Sequence, residues 1–278
     1  MLQKAKNLDF IQILGFIVLV LGGIFMFLPF FWMILSSVKP ARELLRMPPT
    51  WIPNEFTLQN FVGVFEAMPF GRYFFNSVFV STINTVVGVF SSALTGYIFA
   101  KYKFKGSNIL FLLILGALMI PFQVIMIPLY NLSVSLGWNN SYLVLTIPYF
   151  FNIFGIFLMR QFMLSVPDDL IDAATIDGCS HFGIFFRIVL PVVKPAIAAL
   201  TIFLFMASWN SYLWPLITID SPRYTTLPLG LGKFTFYRAT QYDLLITASL
   251  MVLLPIIIVF LFAQKQFIRG IALSGMKE

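Results

Sequence analysis

Long apolar runs separated by short polar breaks dominate this chain. A helix needs about 20 mostly apolar residues to cross the hydrocarbon core of a bilayer. Six stretches qualify, at roughly 10–35, 73–100, 107–130, 141–163, 196–218 and 243–264. The pattern predicts an all-α membrane protein of about six transmembrane helices. Lys4 and Lys6 ahead of the run from Phe10 imitate a signal peptide. That run continues past Pro29 to Leu35, too long for a signal h-region, and no small-residue cleavage site ends it. We read it as a retained first span.

Between the first two spans lies a polar segment containing Pro48-Pro49-Thr50-Trp51-Ile52-Pro53. Its prolines oppose a continuous helix, so it reads as a loop of fixed shape outside the membrane. The organisation expected is a first span with its outer loop (1–71), a core of five spans (72–265) and a tail (266–278). Pro29, Pro121, Pro128, Pro148 and Pro255 fall within spans, where neighbouring groups can satisfy the carbonyls that proline frees.

Composition agrees. The 278 residues are 59% hydrophobic and 10% charged, with a mean hydropathy of +0.91, against about 25% charged in soluble domains. A water-soluble chain so poor in charge could not cover its surface. One cysteine allows no internal disulfide.

The net charge of +7 matters through its placement rather than as a sign of nucleic-acid binding. With the N-terminus cytoplasmic, that side holds Lys4, Lys6, Lys101, Lys103, Lys105, Arg160, Arg187, Lys194, Lys265, Arg269 and Lys277. The other side holds Lys39, Arg42, Arg46, Arg72, Arg223, Lys233 and Arg238. The tight Lys101–Lys105 turn is the kind of short loop the positive-inside rule describes best. The expected orientation is N-in, C-in.

In the second span Asn84, Gly88, Ser92, Gly96 and Ala100 recur every four residues. They put small or weakly polar side chains on one face, where another helix can approach closely. The partner is either a helix of the same chain or a second subunit.

The segment Ser165–Pro195 is the least membrane-like. It holds Asp168, Asp169, Asp172 and Asp177 in a chain with only 11 acidic residues, and four carboxylates so close together cannot sit in hydrocarbon. Ser165 with Asp168 fits an N-terminal capping pattern, with Pro167 in the first turn. The helix should stop at Gly178, which can take the left-handed conformation. Ser180 can then cap a second helix, on which Phe182, Phe185, Phe186 and Val189 make one apolar face opposite His181, Ile184 and Arg187. An acidic helix is poorly suited to lying on the negative cytoplasmic leaflet, so the pair reads as a docking element.

The run Asp172-Ala173-Ala174, then Asp177-Gly178, Ile188, Leu190-Pro191 and Pro195, resembles the EAA loop of ABC importer permeases: E-A-A-x-x-D-G followed by I-x-L-P. Here Asp172 replaces the usual glutamate and Cys179 a small residue, read as a packing position. Pro49-Thr50-Trp51-Ile52-Pro53 with Phe56–Phe61 resembles the first outer loop of carbohydrate-uptake permeases, and Trp209-Asn210 with Leu213-Trp214-Pro215-Leu216 their fifth-helix segment. Phe267-Ile268-Arg269-Gly270 with Gly275-Met276-Lys277 resembles the tail of the maltose-G-type subunit.

The resemblance implies a type I ABC importer permease fold in a bacterial or archaeal plasma membrane. It implies pairing with a second permease, two ATPase subunits that bind ATP and Mg, and an extracytoplasmic sugar-binding protein. Asp172, Ala173, Ala174, Asp177, Gly178, Leu190 and Pro191 would form the joint to the ATPase, with Gly275, Met276 and Lys277 near it. Trp209, Asn210, Tyr212 and Trp214 are candidates for the sugar path, because aromatic faces stack on sugar C–H surfaces and an amide both donates and accepts hydrogen bonds. Enrichment of Trp and Tyr at membrane interfaces is the competing explanation.

No phosphate-binding G-x-x-x-x-G-K-[ST] loop occurs; Gly230-Leu231-Gly232-Lys233-Phe234 lacks the spacing and the hydroxyl. An ion-coupled carrier would need ionisable groups within the spans, yet Asp9 and Asp243 lie at span edges. A channel would leave the acidic loop unexplained. An intramembrane enzyme would need a partner set for the lone His181, which reads as a solvated residue.

Overall fold

The computed structural model describes residues 10–237 and 241–274, with side chains over 12–232 and 241–261. Among the described residues the secondary structure is helical, without strands. In chain order the helices are α1 (Phe10–Ser37), α2 (Ala41–Leu44), α3 (Gln59–Ala67), α4 (Phe70–Lys101), α5 (Ser107–Gly116), α6 (Phe122–Ser135), α7 (Tyr142–Thr146), α8 (Ile153–Leu164) and α9 (Asp168–Ile176). Then follow α10 (His181–Ile184), α11 (Leu190–Val192), α12 (Lys194–Trp209), α13 (Leu213–Thr218), α14 (Leu227–Tyr237) and α15 (Tyr242–Ser274).

Four stretches are long and apolar enough to cross a bilayer unbroken: Gln12–Ser37, Phe70–Lys101, Tyr142–Leu164 and Tyr242–Leu261. Two bent pairs raise the number to six if each is one span. The expected third span is present as a bent pair. It is two helices meeting at 99°, because Pro121 has no N–H to continue the ladder and pushes Ile120 into extended backbone (φ −87°, ψ 112°). The expected fifth span also breaks: α12 ends at Trp209 and α13 resumes at Leu213, where Pro215 cannot donate to the Ser211 carbonyl.

The chain divides into two units, Met1–Met68 with Phe234–Met251, and Pro69–Lys233 with Val252–Glu278. In the first, α1 is exposed along its apolar length from 12 to 31. The loop after it has a fixed shape for a chemical reason. Lys39, only 1% exposed, donates to the Thr50 carbonyl and lies 4.6 Å from the Trp32 ring centroid. Glu43 accepts from Thr50 Oγ1 at 2.7 Å and the Asn54 backbone N–H at 2.9 Å. The Asn54 N–H first, and the Thr50 hydroxyl second, hold the Glu43 carboxyl below the usual carboxylate range. Asn60 Nδ2 ties the loop to the end of α1 through the Ser37 and Lys39 carbonyls, at 2.9 and 2.8 Å.

In the second unit α4 is the spine, packed against α8 and α12. Asn84, Gly88, Ser92 and Gly96 are all buried. A Cβ on Gly96 would stand 2.8 Å from the Arg160 backbone nitrogen, and one on Gly88 2.9 Å from Leu204 Cδ1. A Cβ on Gly155 would meet Ser92 Oγ at 2.4 Å. The small-residue stripe is thus filled by helices of this same chain, not kept open for a second subunit. Asn84 Nδ2 adds hydrogen bonds to the Leu145 carbonyl and Ser208 Oγ, both at 3.0 Å. Gly230 and Gly232, in the glycine-rich run near Lys233, lie within α14 and not in a phosphate loop. Gly230 lies against the Tyr73 ring.

Candidate coupling loop and apolar translocation segment

The acidic helix α9 begins where the sequence places it but is capped differently. Ser165 Oγ donates back to the Phe162 carbonyl at 2.7 Å and so closes α8. The N-cap of α9 is Pro167, in extended backbone (φ −59°, ψ 134°). Asp168 and Asp169 occupy the first turn, where the helix dipole favours negative charge.

Lys101, at the end of α4, fixes this start. Its Nζ donates to the Val166 carbonyl at 2.5 Å and to Asp168 Oδ1 at 2.6 Å. The Lys101 side chain is 6% exposed and that of Asp168 77%. Hydrogen bonding and charge from Lys101 hold the Asp168 carboxyl below its ordinary value of 3.8. A carboxyl lowered by folding stabilises above its unfolded pKa, and that contribution disappears as pH falls through the folded value. Limited proteolysis of 165–195 should therefore show protection at neutral pH that weakens below about pH 3.8. Asp168→Asn should flatten that pH dependence. Lys101→Met should expose the loop at every pH, since it also strips the Val166 carbonyl of its partner.

The end of α9 is a Schellman motif. Gly178 has φ +78°, its N–H donates to the Thr175 carbonyl at 3.1 Å, and the Cys179 N–H donates to the Ala174 carbonyl at 2.9 Å. Cys179 is half-buried and packs against the core with Ala174, which accounts for the packing role read from its position. The two alanines divide their work. Ala174 is 5% exposed, in one core with Tyr97, Met159, Met163, Phe185 and Val189, while Ala173 faces outward.

Asp169, Asp172, Ala173 and Ile176 share one outward face at i, i+3, i+4 and i+7. Ile176, 86% exposed, is the apolar end of a face that also carries Asp169 and Asp172, and it is absent from the residues chosen by motif. The helical spacing from Asp172 and Ala173 could have found it.

Ser180 does cap the next helix, accepting from the Gly183 N–H at 3.2 Å. The apolar face expected there is corrected. Ile184, Phe185 and Val189 are buried, whereas Phe182 and Phe186 are 66% and 50% exposed. The helix widens to one π-turn over Phe185–Val189, because Pro191 has no N–H for the Arg187 carbonyl. That shift rotates the buried face. Half-buried Leu190 and exposed Pro191 then sit at the elbow, where His181–Val192 meets Lys194–Trp209 at 83°. His181 is exposed, with Nδ1 2.9 Å from Tyr102 Oη.

The four candidates for the sugar path separate into two pairs. Trp209 and Trp214 are each 1% exposed. Trp209 stacks on Phe205 at 5.6 Å between centroids, and Trp214 Nε1 donates to the Val144 carbonyl at 2.8 Å. Asn210 and Tyr212 are exposed in the break between α12 and α13, with the Tyr212 ring over Gly232. Gly275, Met276 and Lys277 lie outside the described residues.

The comparisons with known proteins cover this whole architecture. Residues 92–272 match the family model described as binding-protein-dependent transport system inner membrane component. The chain is 39% identical over 278 residues to the arabinooligosaccharides transport system permease protein AraQ of Halalkalibacterium halodurans, covering 99% of each chain. It is 41% identical over 252 residues to the protein of that name from Bacillus subtilis, covering 90% of each. The fold matches a chain in the crystal structure of a bacterial ABC transporter involved in the import of the acidic polysaccharide alginate. That match has a TM-score of 0.82 and 20% identity, over 96% of this chain and 99% of that one. The chain belongs to the family of binding-protein-dependent transport system inner membrane components, as a multi-pass plasma-membrane permease of the carbohydrate-uptake ABC importer type.

Proposed function

We propose that this chain is one of two permease subunits of an ATP-driven sugar importer, and that it moves its cargo by alternating access. An extracytoplasmic binding protein delivers the sugar, and two separate ATPase subunits supply the energy from ATP and Mg. The chain itself performs no catalysis. The observation that carries this reading is the outward face of α9. Its apolar Ile176 is exposed, as are Asp169, Asp172 and Asp177, and α9 is held to the core by Ala174, so a push on that face moves the joined helices. Gly178, Leu190 and Pro191 keep the angle of the joint. The tail at Gly275–Lys277 is assigned to the same partner.

In this scheme the membrane is bacterial or archaeal, and the N- and C-termini lie on the ATPase side, as does the Lys101–Lys105 turn. Asn210 and Tyr212 offer an amide and an aromatic face to the cargo, with Trp209 and Trp214 as their rigid support. The cargo class is an oligosaccharide, after the names of the two relatives at 39% and 41% identity.

Purification of the tagged chain from its native host in mild detergent tests the assembly. Mass spectrometry should find a second, different permease and an ATPase with a phosphate-binding loop. An Ile176→Cys variant, with Cys179→Ser to remove the native thiol, should crosslink to that ATPase. Recovery of the chain alone, with no crosslinked partner, would point to an autonomous channel or carrier.

A further inference from the structure

A groove of about 470 Å³ lies beside the joint, and coupling makes no use of it. It runs along the last turns of α4 and against α10. Its base is the buried pair Tyr97 and Phe185, and its walls include Leu94, Ile98, Phe104 and Phe182. Three of these wall side chains are open to the surroundings: Phe182 at 66%, Ile98 at 40% and Phe104 at 39%. Polarity is concentrated at one end, where Lys103 and the hydrogen-bonded Tyr102–His181 pair line the mouth. Lys105 follows two residues later and is exposed.

The shape has a direction. Leu94 and Ile98 are one turn apart on a membrane-crossing helix, and from Leu94 to the mouth at Tyr102 is ~12 Å at the helical rise of 1.5 Å per residue. The groove is therefore cationic at the rim and apolar down into the span. A polypeptide segment laid in it would bring N–H and C=O groups against walls with no partners for them. A hydrocarbon chain brings none, and lysine stems favour this setting, with the chain on apolar surface and the ammonium at the headgroups.

We propose that the groove binds one membrane phospholipid with an anionic headgroup, an acyl chain between Ile98 and Phe182 and the phosphate over Lys103. Because α10 forms one wall, the bound lipid braces the elbow that follows α9. The headgroup charge of the surrounding bilayer thereby sets how firmly the joint is held.

The test uses the chain purified with its native partners and placed in nanodiscs. Photoactivatable phosphatidylglycerol or phosphatidylcholine carries the reactive group on the acyl chain, and mass spectrometry maps the labelled peptides. Labelling around Ile98 and Phe182 is expected several-fold stronger with phosphatidylglycerol. Lys103→Glu should bring it down to the phosphatidylcholine level, and Ile98→Trp should remove labelling by both lipids. Size-exclusion profiles matching the parent protein show that the variants remain folded. Equal labelling by both lipids that Lys103→Glu leaves unchanged would reduce the groove to general apolar contact and overturn the proposal. Labelling that appears only after the ATPase is stripped away would give the groove to a protein partner, and overturns it too.

Discussion

Replacing Gly178 by proline is expected to reduce sugar uptake to background while the protein still reaches the membrane. The residue sits at φ +78°, and proline is fixed near φ −65°. Its N–H, which bonds the Thr175 carbonyl at 3.1 Å, would also vanish. The end of α9 would then lose its reversal, and the helix its angle to the rest of the chain. Gly178→Val keeps the N–H but places a β-branched residue in the left-handed region, at about 1–2 kcal/mol, so a partial loss is expected. Gly178→Asn should retain most uptake, since asparagine tolerates that backbone.

Asp172→Lys approaches the same joint from outside. Asp172 is exposed, and its carboxylate forms no ion pair among the described residues, so insertion and thermal stability should match the parent. The reversed charge on the proposed docking face should abolish uptake and weaken recovery of the ATPase. Labelled-sugar uptake, normalised to the membrane level by immunoblot, distinguishes these outcomes. Normal uptake in both Gly178→Pro and Asp172→Lys would sink the docking model.

The second large effect is expected at Gly96. A Cβ there would stand 2.8 Å from the Arg160 backbone nitrogen and 2.9 Å from Met159 Cβ. Backbone cannot swing aside as a side chain does. Gly96→Ala should cost about 1–3 kcal/mol as an overpacked site, and Gly96→Leu should pry α4 from α8 and leave little folded protein. Gly22→Leu is the control, because nothing among the described residues lies within 4 Å of the added atom. Fluorescence-detected size exclusion after a heating series reads the difference. A monodisperse Gly96→Leu protein at the parent's yield would mean that the stripe is not a tight contact.

The acidic loop at 165–195 was legible in sequence because its signals are local. Gly178 after an acidic helix and Ser180 before the next act through backbone groups within a few residues, so their effect survives any tertiary setting. Ser165 shows where local rules stop. It satisfied a capping pattern, yet the Phe162 carbonyl at the end of α8 captured its hydroxyl. The same held for Phe182 and Phe186: regular helical spacing put them with Val189, but the π-turn over Phe185–Val189 brings Val189 in line with buried Ile184 and Phe185 instead, and Phe182 and Phe186 stay exposed.

What the sequence determined by itself is the membrane class, the approximate extent of the spans, and the place and bend of the acidic helical loop. Each follows from a property carried within about 20 residues: hydrocarbon length, proline and glycine backbone limits, or the clustering of carboxylates. Only the tertiary structure decided which faces those helices use. It assigned the Asn84–Gly96 stripe to α8 and α12 of the same chain, sent Ala174 inward and Ala173 outward, and buried Trp209 and Trp214 while leaving Asn210 and Tyr212 exposed. Periodicity fixes the spacing of a stripe but not its partner. In a bilayer, lipid and neighbouring helices are equally apolar, so close packing selects the partner, and packing exists only once the helices have met.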